Sequence, residues 1–94
     1  MAGTHQILFY DYVENVVERR APHREAHLAL VAEWVRSGRI VMAGALGDPP
    51  TGAAIVFLGG DPADAERFAE KDPYVAAGIV TARRVVPWTV VASS

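Results

Sequence analysis

The sequence contains no cysteine, which excludes disulfides, thiolate nucleophiles, Cys-ligated zinc and iron–sulfur clusters. Any catalysis must use histidine, carboxylates, hydroxyls or an external cofactor. It also lacks a decisive charge: 9 Lys and Arg stand against 11 Asp and Glu, for a net charge of −2, and the basic residues are spread along the chain. That argues against nucleic acid and anionic membranes as partners. Long hydrophobic runs are missing too. "AAIVFL" and "VVPWTVVA" are far too short to span a bilayer, and the N-terminus shows no basic-then-apolar signal pattern, so a cytoplasmic protein is expected. There is no repeat of solenoid length and no linker. Residues 1–94 are therefore expected to form a single domain around one core.

What is present reads as alternating strands and helices. Residues 5–13, "HQILFYDYV", have strand composition and run into the polar "ENVVERR", which reads as a loop. Pro22 suits a helix start. The following "HREAHLALVAEWVR" sets Leu28, Val31 and Val35 on one face at spacings of three and four, and Ser37-Gly38 ends it. Residues 39–46 and 53–59 read as two strands of a hairpin joined by the Pro- and Gly-rich loop 47–52. A helix at 61–71 and a turn at 72–77 lead to a last strand at 79–91, where Pro87 implies a bulge or an edge position. The order βαββαβ predicts an α+β, ferredoxin-like sandwich: a four-stranded antiparallel sheet with two helices on one face.

The strands are apolar on both sides. Ile55 and Phe57 point one way and Val56 and Leu58 the other, and Ile7 and Phe9 likewise oppose Leu8 and Tyr10. Such a sheet needs cover on both faces, and two helices cover only one. A second copy packed sheet to sheet supplies the rest, so a homodimer with a barrel-like interior is expected.

Few residues are candidates for chemistry. His23 and His27 are four apart on the first helix, a spacing that also serves metal ligands. Zinc proteases, however, place Glu directly after the first His, where this chain has Arg24, and no third ligand is evident, so no metal is expected. His23 reads as solvated, and His27 as an edge residue that is either a packed core histidine or a catalyst. Arg20 and Arg24 flank the helix start and serve either as a solvated basic face or as a hold on an anionic substrate. Trp34, Tyr74 and Trp88 read as core or interface. Asp72 opens "DPYVAAG" as a helix cap, as Asp61 does before Pro62, and local evidence alone goes no further than that cap.

Three stretches together resemble the YciI-like (YCII-related) family: Arg20, Arg24 and His27 in "RAPHREAHLALV", Gly38-Arg39 and Ala43-Gly44 in "SGRIVMAGAL", and Asp72 to Val80 in "DPYVAAGIV". The resemblance implies a ferredoxin-like dimeric α+β barrel with a His–Asp dyad, carried here by His27 and Asp72. It also implies a pocket lined by the Ala43-Gly44 segment. Arg20, Arg24, Gly44 and Tyr74 are the expected substrate-binding residues, with Tyr74 or Arg24 to bind a developing enolate oxygen. The family commonly has Pro after that Ala-Gly, whereas this chain has Ala45. The implied activity is that of a cofactor-independent lyase or isomerase, like a dehydrochlorinase or a muconolactone isomerase, moving protons on a small cyclic carbonyl or enol compound. Its alternatives are a non-catalytic small-molecule-binding protein and a monooxygenase of the related barrel type.

Overall fold

The computed structural model describes residues 3–94. Strands β1 (Gly3–Tyr12), β2 (Ile40–Leu46), β3 (Gly52–Leu58) and β4 (Val80–Val90) form one antiparallel sheet in the order β2-β3-β1-β4. Helices α1 (Val16–Arg20), α2 (Arg24–Arg36), α3 (Ala63–Lys71) and α4 (Pro73–Ala76) connect them. This is the expected ferredoxin-like arrangement, and the strands and the two longer helices begin and end within two residues of the positions read from the sequence. Pro87 lies on the edge strand β4, opposite Gln6, where a missing N–H is least costly.

The core lies between the sheet and the helices. Register pairs Leu8 with Ile55 and Tyr10 with Ala53, placing these side chains on the helix side, where all four are buried. Helix α3 turns Ala65, Phe68 and Ala69 onto them at spacings of three and four. Trp34 meets Phe57 and Phe68 edge to face, with ring centroids 6.0 and 5.4 Å apart.

Two local expectations are corrected. Residues 16–20 of the supposed loop are helical and continue through a 3-10 turn, Ala21–His23, into α2. Asn15 adopts the left-handed conformation (φ 58°), which Asn tolerates better than most residues, and Val16 is drawn in against Tyr74 and Ile79. One helical turn is too short to show a period in sequence. The second correction is the buried face of α2. Leu28 and Val35 are 47% and 46% exposed, while His27 and Trp34 are buried, with Leu30 and Val31 packed beside the core. His27 and Trp34 are seven residues apart and so share one face. Trp34 has more apolar area to bury than Val35, and His27 has a partner inside.

The face of the sheet away from the helices carries Ile7, Phe9, Val56 and Val86, with Met42, Leu58 and Trp88 exposed around them. The two-sided apolar strands are thus present as read.

The rotated face of α2 makes a testable contrast. Trp34→Ala is expected to cost about 3–5 kcal/mol in urea unfolding. Val35→Ala on the neighbouring position should stay within about 0.5 kcal/mol of the parent, whereas the sequence-derived face requires a substantial loss there.

Candidate active site

Asp72 lies between α3 and α4 and is fully buried. Its Oδ1 accepts the backbone N–H of Tyr74 at 3.0 Å, the helix cap expected of Asp-Pro. The same oxygen lies 2.8 Å from Nδ1 of His27 on α2, and Oδ2 accepts the hydroxyl of Tyr10 on β1 at 2.8 Å. Cap and histidine partner are one residue. With both oxygens already accepting, the bond to His27 is made by an Nδ1–H, which leaves Nε2 of a neutral ring with its lone pair.

The imidazole is held from a second direction. It stacks on Tyr74 with ring centroids 3.8 Å apart and planes 5° from parallel. Since Asp72 also caps the helical turn that carries Tyr74, one carboxylate positions both the edge and the face contact of the ring. Tyr10 was not singled out in the sequence. Its one signal there is its place on the core side of β1, where a hydroxyl requires a buried partner. Burial first, then the Asp72 charge, push its phenol far above the usual tyrosine range, so it remains a donor. Gly52 lets β3 approach at this level, because a Cβ there would meet the Tyr10 carbonyl.

His27 lines a cavity of about 170 Å³ between α2 and the sheet. The cavity exists because the sheet offers it Ala43, Ala45 and Ala53, whereas Phe57 fills the corresponding space below Trp34. Leu28 and Val31 form its apolar helix side, and Arg20, Arg24, Tyr12, Tyr74 and Gly44 complete the lining. Every site residue anticipated from the sequence therefore meets here, with Asp72 behind His27. Ala45 is part of the wall. Tyr12, unanticipated, has its phenol pushed up to about 12, chiefly by burial. His23, four residues before His27, takes no part. Among the described residues no cluster of three metal-ligating side chains forms.

A family model for the YCII-related domain matches residues 5–89. No curated protein sequence matches the chain. Among solved structures, the chain is similar to 5-chloro-2-hydroxyhydroquinone dehydrochlorinase from Burkholderia phenoliruptrix AC1100, in its complex with 2,5-dihydroxybenzoquinone. The TM-score is 0.73 at 21% identity, over 89% of this chain and 92% of that one. At this identity the likeness speaks for the fold.

The buried carboxylate sets an expectation for stability. Tyr10→Phe removes one hydrogen bond to a charged group and should lower unfolding free energy by about 1.5–3 kcal/mol. Urea denaturation of the two proteins measures this, and a loss near zero would mean that Oδ2 does not depend on the tyrosine.

Proposed function

The chain belongs to the YCII-related domain family, and from that footing we propose that it is a cofactor-independent lyase or isomerase acting on a small cyclic carbonyl or enol compound. One observation carries the reading: the Asp72-bound imidazole of His27, in its Nδ1–H form, lies in the wall of a small cavity between α2 and the sheet. In the reaction, Nε2 takes a proton from the carbon next to the carbonyl, and the electron pair moves onto the carbonyl oxygen. From that enolate, the pair either expels a leaving group from the adjacent carbon or takes a proton back elsewhere on the ring. Asp72 keeps the ring in the reactive tautomer and stabilises the imidazolium that forms. Tyr74, also in the cavity lining, serves the developing negative oxygen. The activity of the similar dehydrochlorinase, loss of HCl from a chlorinated hydroxyhydroquinone, is a reaction of this kind.

The test is deuterium exchange next to the carbonyl across a panel of small cyclic enols, with chloride release from 5-chloro-2-hydroxyhydroquinone measured alongside. His27→Gln is expected to lower the rate on any active compound by about 10²–10⁴-fold. Asp72→Asn, which keeps a side-chain cap but forfeits the charge and one acceptor oxygen, should also lower it, and should cost at least as much unfolding free energy as Tyr10→Phe. A His27→Gln protein that exchanges at the parent rate removes His27 as the base, and a parent that exchanges nothing while still binding makes the protein a binder instead.

The working unit in this reading is a cytoplasmic homodimer that binds a small molecule and no nucleic acid. No helix among the described residues is long and apolar enough to cross a membrane. The support for the dimer is the uncovered face, where Met42, Leu58 and Trp88 are 59%, 55% and 41% exposed around an apolar centre. Sedimentation at micromolar concentration should show a dimer, and Met42→Glu with Leu58→Glu should give a folded monomer. A monomeric parent overturns this assembly.

A further inference from the structure

A base and its partner account for one part of the cavity lining and leave another part unused. Arg20 closes α1, Arg24 opens α2, and the 3-10 turn between them puts both side chains on the cavity. Among the described residues neither guanidinium is in an ion pair. Both lie close enough to the phenols of Tyr12 and Tyr74 to pull their titration downward, although burial outweighs them and both phenols end above their usual value. At neutral pH each therefore keeps its proton. Neither hydroxyl makes a hydrogen bond among the described residues, and no fully enclosed side-chain oxygen is left without a partner. Both hydroxyls must therefore reach open space.

The cavity lining thus includes two cations and two tyrosines whose hydroxyls have no partner among the described residues, and none of its lining residues is acidic. The nearest carboxylate, Asp72, is already engaged by His27, Tyr10 and Tyr74. Such a set of donors asks for acceptors carrying negative charge. Opposite them the surface is apolar, from Leu28, Val31 and the alanines of the sheet. The volume of about 170 Å³ is below that of sites for drug-sized ligands, which limits the occupant to a single ring or a short conjugated chain.

We propose that Tyr12, Arg20 and Arg24 form a carboxylate clamp, and that the compound this site takes is a small planar monocarboxylate. The proposal deepens the lyase or isomerase reading and rests on it for the identity of the site, but not for the binding itself. The carboxylate is gripped by the two guanidiniums and the Tyr12 hydroxyl, the apolar body lies along the alanines, and the reacting carbon is left toward His27.

Benzoate and benzamide test this, since they share size and shape and differ in charge. Calorimetric titration should find benzoate bound at least about tenfold more tightly, with the difference shrinking as salt is added. Arg20→Gln and Arg24→Gln should each weaken benzoate about tenfold, and Tyr12→Phe several-fold, without changing benzamide. His27→Gln should leave benzoate binding within about twofold, which separates the clamp from the base: a failed clamp leaves exchange activity standing, and a failed base leaves benzoate binding standing. Equal binding of the two probes, or none of either, overturns the proposal. An unchanged benzoate affinity in Tyr12→Phe, with a folded spectrum, removes Tyr12 from it.

Discussion

A carboxylate with no exposure to water needs its charge answered by protein, and at Asp72 three donors answer it, from β1, α2 and α4. Leaving one of them out would strand a buried polar group, at a cost well above the net worth of an ordinary hydrogen bond. The three elements are therefore held to one another by a geometry stricter than apolar packing alone imposes. Since His27 and Tyr74 are both reached through this residue, the site's two stacked rings inherit that strictness. The bonds that stabilise the fold here are the same bonds that select the tautomer of the imidazole.

Helix α2 divides its duties along its length. Its C-terminal half delivers Trp34 to Phe57 and Phe68, where large rings close the space between layers. Two turns earlier, His27 faces alanines instead, and the space stays open. The difference is written in the sheet: Phe57 and Ala53 both point toward the helices from β3, four residues apart. One end of the domain is filled for stability and the other is left short of side chain for a ligand. A larger residue at Ala43, Ala45 or Ala53 would make the second end resemble the first.

Much of this was legible in the sequence. Strand composition, the turn-rich loop at 47–52 and two-sided apolar patterning lead to the sheet and its bare face, because each rests on short-range periodicity. The rotated face of α2 was not legible, because Leu28, Val31 and Val35 satisfy the helical period as well as His27 and Trp34 do once a histidine is counted as polar. The decision depends on a carboxylate 45 residues away. Tyr10, 62 residues from Asp72, was hidden for the same reason. The dyad itself came from family resemblance, Arg20 and Arg24 were visible in their place at the helix start, and the geometry brings His27, Arg20, Arg24, Gly44 and Tyr74 to one cavity.

The two Asp-Pro turns show where local reading stops. Asp61 and Asp72 each accept an N–H from the residue two positions on, at 2.9 and 3.0 Å, so in local hydrogen bonding they are alike, although Asp72 is the N-cap of α4 and Asp61 stands one residue ahead of Pro62, the N-cap of α3. Asp61 is exposed and ends its role there. Asp72 is enclosed, and enclosure removes water as a partner for its remaining lone pairs. What fills that vacancy is decided by what the fold brings alongside, and here it is an imidazole and a phenol. Burial turned a common cap into the centre of a site, and burial is the one property that a dipeptide cannot express.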